Sequence, residues 1–299
     1  MSEDPLWPRA SGWLAGGGAP DGPHLQLVGV PCARSSISPS RADLTPAAVR
    51  RALRRFATYD ADLDADLATV RVSDAGDLPV AEHDAAGVLV VVDEGVRRLP
   101  PADVTVLVGG DNALTRPALR GLLPGLRGAG LLTLDAHHDV RGFHAGPTNG
   151  TPVRGLVEDG LPGRNVVQVG IGALTNSRAY RRWCDEHGIT VVGAAQARRD
   201  GVGAVVRQAL EQLAARCSAV YVDLDVDVVD AAFAPGCPGA RPGGLMPWEL
   251  LDAAAEAGRH PAVRAVDVVE VDAAADEGGR TVDLAAQCVL RVAAGLAVR

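Results

Sequence analysis

The chain has 299 residues and a formal net charge of −8, with 47% hydrophobic and 22% charged residues. This size and composition fit one large packed domain or two small ones, and they exclude a wholly disordered chain. All 29 basic residues are arginine, which excludes a lysine Schiff base and a P-loop lysine. The acidic balance argues against nucleic acid or an acidic membrane surface as the main partner.

The five cysteines are scattered along the chain and form no CxxC pair. This usage is typical of a reduced protein, so we expect a cytoplasmic location and no thiolate metal site. The first residues are acidic and lack a long apolar core, so we expect no signal peptide. No apolar run reaches about 18 residues, so we expect no membrane span.

From the N-terminus, residues 1–23 are rich in Gly and Pro and predict a flexible arm, followed by a single domain over 24–299. In the domain, short apolar runs alternate with longer Ala-, Leu- and Arg-rich stretches, which indicates a parallel sheet covered on both faces. The predicted strands are 25–30, 104–109, 131–135, 166–171, 189–193, 219–225 and 265–271. The predicted helices are 46–57, 84–98, 113–122, 176–187, 200–216, 247–258 and 283–296.

Two of these strands run into acidic stretches, LLTLDAHHD and AVYVDLDVDVVD. If the strands continue through them, Asp135, His137 and Asp139 point to one side, and Asp225 and Asp227 also share a side. Buried carboxylates at neighbouring strand ends repel each other unless a cation lies among them. Four carboxylates and one imidazole suit manganese better than zinc or copper.

The motifs at these strand ends resemble those of the ureohydrolase (arginase/agmatinase) superfamily. VGGDN, DAHHDVR, VVEVD and the DxD near residue 225 match the superfamily, and SSISPS, GPTNGTP and NSRAY match its formimidoylglutamase branch most closely. The resemblance covers the chain from about residue 24. It implies an α/β fold, a three-layer α/β/α sandwich with a mostly parallel sheet of about eight strands. It also implies a homo-oligomer, either a trimer or a hexamer.

The same resemblance implies two manganese ions that activate a water molecule. Asp135 and Asp225 would contact both ions, His137 and Asp227 would complete one site, and Asp139 and Asn112 would complete the other. Glu270 would pair with the cationic end of the substrate, since a carboxylate favours a positively charged amidine.

Two positions depart from the superfamily pattern. The residue after GGD is usually His and is Asn112 here, and an amide oxygen is a weaker manganese ligand than an imidazole. We therefore predict that the metal beside Asn112 is weakly held or absent after purification; the alternative is that water replaces the missing ligand with little effect. Asn149 stands where arginases and agmatinases carry a proton-shuttling His. His144, in the same loop, is a candidate proton donor, with an exposed loop histidine as the alternative.

The expected substrate is an amino-acid amidine with two carboxylates, for which arginines must supply the positive charge. The candidate substrate contacts are Arg141, Arg154, Arg178, Arg241, Thr148, Asn149, Asn176 and Glu270. Each of the four arginines could instead be a solvated surface charge.

Other polar residues in these motifs have more ordinary interpretations. We expect Asp230 to cap a turn, Asp111 to orient nearby backbone, and His138 to pack behind the site. Asp223 lies one step deeper in its strand than Asp225, so it needs a partner.

The resemblance predicts hydrolysis of N-formimidoyl-L-glutamate to L-glutamate and formamide, with Asp139, Glu270 and His144 as candidate catalytic residues. Asp139 or a water would return the proton to the departing glutamate nitrogen. One alternative is a guanidino-acid ureohydrolase, similar to agmatinase or guanidinobutyrase. The other is a metal-depleted homologue without catalytic activity, which Asn112 keeps open.

Overall fold

The computed structural model describes residues 4, 6–123 and 125–299 of the chain. Its centre is an eight-stranded sheet in which every neighbouring pair is parallel. The strands are β1 (His24–Val30), β4 (Arg71–Asp77), β5 (Val104–Gly109), β6 (Ala129–Leu134), β7 (Val166–Ile171), β8 (Thr190–Gly193), β9 (Ala219–Asp225) and β10 (Val263–Val269). Their spatial order is β4-β1-β5-β10-β9-β6-β7-β8.

Helices cover both faces of this sheet, which confirms the predicted three-layer α/β/α sandwich. They are α1 (Ala10–Gly12), α2 (Thr45–Ala52), α3 (Ala85–Arg97), α4 (Thr115–Leu122), α5 (Pro152–Glu158), α6 (Arg178–Glu186), α7 (Ala194–Asp200), α8 (Val202–Ala214), α9 (Pro247–Arg259) and α10 (Arg280–Ala297). Side chains from α2, α8, α9 and α10 form one apolar core, and those from α3, α4 and α5 form the other. Alternate residues of each central strand enter opposite cores, as the two-residue repeat of a strand requires.

All seven predicted strands are present, with ends shifted by two residues at most. The eighth, β4, was missed because it lies at the edge of the sheet and its sequence, RVSDAGD, has little apolar content. A small antiparallel pair, β2 (Tyr59–Asp60) with β3 (Ala65–Asp66), and helices α1, α5 and α7 were also missed. The helix predicted over 200–216 instead begins at Val202, because Gly201 has a φ of 82° and separates α7 from α8.

The division into an arm at 1–23 and a domain at 24–299 stays a prediction, and residues 1–3 and 5 lie outside the described residues. Within the segment, Ala10 and Trp13 are buried in the first core, and the Trp13 indole donates a hydrogen bond to the carbonyl of Val70. In the part of the chain that the structure describes, no helix combines the length and apolarity needed to cross a bilayer.

Candidate metal and substrate site

Four neighbouring strands, β5, β10, β9 and β6, deliver the acidic motifs to one edge of the sheet. Asp225 is the last residue of β9 and Asp135 follows β6, whose Leu134 pairs with Leu224. Glu270 follows β10, and Asn112 begins a short turn three residues after β5. The carboxyl ends of parallel strands meet at one edge, which is where ligands bind in open α/β sheets.

Three side chains at this edge of the sheet come close enough to share one metal ion. Asp135, His137 and Asp227 each offer a ligand atom, and these atoms all lie within 4.8 Å of one another. His137 Nδ1 is 2.6 Å from Asp227 Oδ2 and 3.5 Å from Asp135 Oδ1. Asp225 is tied to the group because its Oδ1 accepts a hydrogen bond of 2.8 Å from the backbone nitrogen of Asp227. Two carboxylates and an imidazole form a donor set that suits manganese.

Burial and the charges of neighbouring groups shift the pKa values of this cluster. Burial and repulsion from Asp227 raise the pKa of Asp135 to about 7. Burial alone would lower the pKa of His137, but its hydrogen bonds with Asp135 and Asp227 and their negative charges raise it to about 12. Burial and neighbouring carboxylates also raise the pKa values of Asp139 and Asp225. So much negative charge in one buried place favours a bound cation.

The acidic residues lie together, but not on one face of an extended strand as predicted. Strand β6 ends at Leu134, and the backbone nitrogen of His137 turns back to donate to Asp135 Oδ1 at 2.6 Å. Asp139 has a φ of 53°, so the DAHHD segment is a tight turn and not an extended strand. Glu270 also has a positive φ, 63°. Non-glycine residues rarely adopt this conformation, which concentrates at functional sites.

The side chain of Asn112 is held between Asp139 and Thr115, the first residue of α4. Its amide nitrogen donates to Asp139 Oδ2 at 2.7 Å, and its amide oxygen lies 2.7 Å from the hydroxyl of Thr115. The preceding Gly110 makes room for this turn, since a Cβ there would lie 1.8 Å from the carbonyl oxygen of Cys32. Asn112 is 1% exposed, so its contacts are all internal.

Glu270 receives two hydrogen bonds on the same oxygen. The backbone nitrogen of Asn112 donates to Oε1 at 2.7 Å, and the side-chain nitrogen of Asn149 donates to it at 3.0 Å. Burial and the charge of Asp111 nevertheless raise the pKa of Glu270 to about 8. Asn149 thus contacts the carboxylate expected to meet the substrate.

A cleft of about 120 Å³ opens over this cluster. Its walls include two of the four candidate arginines, Arg141 and Arg241, together with Asn149 and Asn176. Four acidic residues, Asp139, Asp225, Asp227 and Glu270, also line it, together with the imidazole of His137. The cleft is therefore lined by several buried carboxylates and by two exposed arginines.

The remaining predicted residues lie outside the lining of this cleft. Arg154 pairs with Glu158 at 2.8 Å and lies over the ring of Trp183. Arg178 and His144 are exposed. Thr148 is half-buried, and its hydroxyl accepts from the backbone nitrogen of Gly150. The roles assigned to these four residues stay predictions.

The more ordinary interpretations agree with the contacts. Asp111 accepts from the backbone nitrogens of Ser35 and Ala113, and Asp230 accepts from those of Ala232 and Gly243. The ring of His138 lies 2.7 Å from Gln168 Oε1, behind the site.

Several residues that line the cleft were not predicted from the sequence. Tyr180, Ile37, Ser38 and Gly239 line the cleft. Gly239 lies so close that a Cβ there would be 2.4 Å from Asp227 Oδ2. Ile37 and Ser38 stand within SSISPS, a string that supported only the resemblance.

Comparisons with known proteins agree with this fold. A model of the Arginase family matches residues 24–295. Formimidoylglutamase of Halalkalibacterium halodurans is 34% identical over 278 residues, which cover 91% of this chain and 87% of the relative. The crystal structure of formimidoylglutamase from Bacillus subtilis superposes with a TM-score of 0.92 at 29% identity, covering 100% of this chain and 94% of the other.

A more distant likeness concerns the fold alone. A crystal structure of Trypanosoma cruzi formiminoglutamase with Mn²⁺ has a TM-score of 0.88 at 22% identity, covering 98% of this chain and 99% of the other.

The match to the Arginase family model spans most of the sequence, and the chain folds as an eight-stranded parallel sandwich. The chain belongs to the arginase family.

Proposed function

We propose that the protein is a manganese-dependent hydrolase that converts N-formimidoyl-L-glutamate and water to L-glutamate and formamide. The observation that carries this proposal is the cleft that joins the acidic cluster and Glu270 to Arg141 and Arg241. A cationic amidine would bind the acidic cluster and Glu270, and the two carboxylates of the substrate would bind Arg141 and Arg241. Relatives named formimidoylglutamase, at 31–34% identity over nine-tenths of the chain, support the same substrate.

We propose that the acidic cluster, whose Asp135, His137 and Asp227 lie close enough to share one ion, binds two manganese ions. Asp135, His137 and Asp227 would hold one ion with Asp225, and Asp139 and Asn112 would hold the other with Asp135 and Asp225. When bound, the metal pair would lower the pKa of a water molecule and so make a nucleophile available near neutral pH. We propose two ions, with the one beside Asn112 held more weakly, because an amide oxygen is a poorer ligand than an imidazole.

Glu270 would bind and orient the formimidoyl group. Asn112 and Asn149 both donate to Oε1, which fixes the carboxyl group and leaves Oε2 for the substrate. A positively charged amidine would hold this carboxyl group ionised despite its burial, because an opposite charge favours the charged form. Attack on the formimidoyl carbon lowers the positive charge on the nitrogens, so the ion pair with Glu270 would serve to bind and orient the amidine before attack.

The substrate carboxylates would face the mouth of the cleft. Arg141 and Arg241 are exposed at that mouth, and a guanidinium can bind a carboxylate through two parallel hydrogen bonds. Asn176 is a candidate for an additional hydrogen bond. Arg154, Arg178 and Thr148 stay candidates with less support, since they do not line the cleft.

The last step requires a proton on the nitrogen of the departing glutamate. Asp139 is the candidate that lines the cleft, and a water molecule is its alternative. His144 is exposed on a loop and stays the second candidate. The homo-oligomer and the cytoplasmic location also remain proposals.

Turnover of N-formimidoyl-L-glutamate by manganese-loaded protein tests the reaction, with release of glutamate and formamide as readouts and EDTA-treated protein as the control. We expect formamide release that depends on manganese. Urea released from guanidino acids, with no formamide from the first substrate, would replace this proposal with the guanidino-acid alternative. A folded, manganese-treated protein that turns over neither class would favour the non-catalytic homologue.

A further inference from the structure

Behind Asn112 lies a buried polar network that the reaction described above does not use. The hydroxyl oxygen of Thr115 is 2.7 Å from Asn112 Oδ1 and also 2.7 Å from Asp267 Oδ2. Thr115 and Asp267 are 0% exposed and Asn112 is 1% exposed. Water cannot replace a partner in such a place, so each polar atom depends on its protein neighbours.

Asp267 anchors this network to the middle of the sheet. It lies on β10 in register with Asp223 of β9, and its Oδ2 also accepts a hydrogen bond of 2.8 Å from the hydroxyl of Tyr221. The same oxygen therefore faces two hydroxyl groups, those of Tyr221 and Thr115. An oxygen of a carboxyl group has lone pairs for both.

The single proton of the Thr115 hydroxyl can go only one way at a time. If it is donated to Asn112 Oδ1, the amide nitrogen of Asn112 faces Asp139, as in the structure. If it is donated to Asp267, the Thr115 oxygen becomes an acceptor toward Asn112. Only the amide nitrogen can then donate to it, and half a turn of the amide group brings the amide oxygen toward Asp139.

We propose that Thr115 is a positioning residue that allows Asn112 to turn its amide and offer its oxygen to the manganese ion shared with Asp139. The inference rests on the proposed function, since it assumes that ion. An amide nitrogen has no lone pair free for a metal, so Asn112 can act as a ligand only in the turned position. That position is stabilised by two linked hydrogen bonds, from Asn112 Nδ2 to Thr115 and from Thr115 to the Asp267 carboxyl group.

Replacing Thr115 by Val keeps the shape of the side chain and removes the hydroxyl. The turned amide then loses both linked hydrogen bonds, whereas the amide in its present position loses one. The difference is about one hydrogen bond to a charged group, so we expect the weaker manganese site to lose affinity by about tenfold or more. Thr115→Ser keeps the hydroxyl and should bind manganese within about twofold of the unchanged protein.

Tyr221→Phe is the matched control. It removes the other hydroxyl donor from the same oxygen of Asp267 and leaves Thr115 and Asn112 untouched. A general loss of core stability would weaken manganese binding in both variants. Action through the Asn112 amide would weaken it in Thr115→Val and not in Tyr221→Phe.

The experiment is a titration of EDTA-treated protein with Mn²⁺, in which electron paramagnetic resonance measures the free ion and elemental analysis gives the ions per chain. Weakening of one site in Thr115→Val, with no further weakening when Asn112→Ala is already present, supports the inference. Unchanged binding in Thr115→Val, or an equal loss in Tyr221→Phe, overturns it. Thr115→Ala replaces Thr115→Val if that variant does not fold. No manganese binding by the unchanged protein would instead overturn the proposed metal site.

Discussion

The side-chain nitrogen of Asn149 donates a hydrogen bond of 3.0 Å to Oε1 of Glu270. At the same time, Asn149 Oδ1 accepts a hydrogen bond of 3.1 Å from the backbone nitrogen of Ile37. The Asn149 amide thus links the loop of residues 147–152 to Glu270 and to Ile37, and both of these residues line the cleft. An imidazole at this position would exchange protons, whereas the amide can only hold Glu270 in place.

Asn149→Asp removes the donor and keeps the acceptor for Ile37. The new carboxylate would repel Glu270, so we expect kcat/KM for N-formimidoyl-L-glutamate to fall about 10- to 100-fold, in keeping with the loss of a hydrogen bond to a charged group. Steady-state kinetics measures the effect, and bound manganese should stay unchanged. A variant with the kinetics of the unchanged protein would show that this hydrogen bond does not position Glu270.

Asn112→His should raise the manganese content of the purified protein. An imidazole binds manganese more strongly than an amide does, so we expect close to two ions per chain in the variant and fewer in the unchanged protein after free metal is removed. Elemental analysis gives the ratio. Asn149→His is the control, because it places an imidazole in the same cleft but away from the proposed ligand position. Full and equal occupancy in the unchanged protein and Asn112→His would refute the weak site.

The arginines that line the cleft should contribute more to substrate binding than those that do not. Arg141→Ala and Arg241→Ala are each expected to raise KM for the two-carboxylate substrate about tenfold, since a charge-assisted pair contributes about 1.5–3 kcal/mol. Arg178→Ala, which removes an exposed arginine outside the cleft lining, is the matched control and should leave KM within about twofold. If Arg178→Ala raises KM and the other two do not, the carboxylates bind elsewhere.

Stability without metal should fall as pH rises. The folded protein keeps protons on Asp135, with a pKa of about 7, and Glu270, with a pKa of about 8, where the unfolded chain has already lost them. His137, raised to about 12, also holds a proton that the unfolded chain releases near its ordinary pKa. The folded state therefore binds more protons, and its free energy of unfolding decreases between about pH 6.5 and 8.5.

Thermal unfolding in EDTA across this range tests the sign of that dependence. Manganese replaces the protons as the counter-charge, so saturating Mn²⁺ should raise the melting temperature and flatten its dependence on pH. A melting temperature in EDTA that rises from pH 6.5 to 8.5 would contradict the proton balance of the acidic cluster.

Much of the fold could be predicted from the sequence, because buried parallel strands are continuous apolar runs and apolar residues recur at a different spacing in helices. The edge strand β4 could not be predicted, because a polar edge strand takes its conformation from the neighbouring strand. The acidic motifs also identified the site, because carboxylates directly after apolar runs must meet where parallel strands end. The position of Asp135, His137, Asp225 and Asp227 at the ends of these strands therefore predicted that they lie together, although their two-residue spacing did not predict their geometry.

The geometry within that site depended on tertiary structure. Local alternation predicted an extended DAHHD segment, but the left-handed backbone at Asp139 folds it into a turn, which only the surrounding packing stabilises. The choice of Arg141 and Arg241 over Arg154 and Arg178 follows from which loops border the cleft. Thr115 and Asp267 lie 152 residues apart along the chain and meet only across the packed core. Their pairing has no local signal, because hydrogen bonds between distant residues are made by the register of the sheet and the helix packed on it.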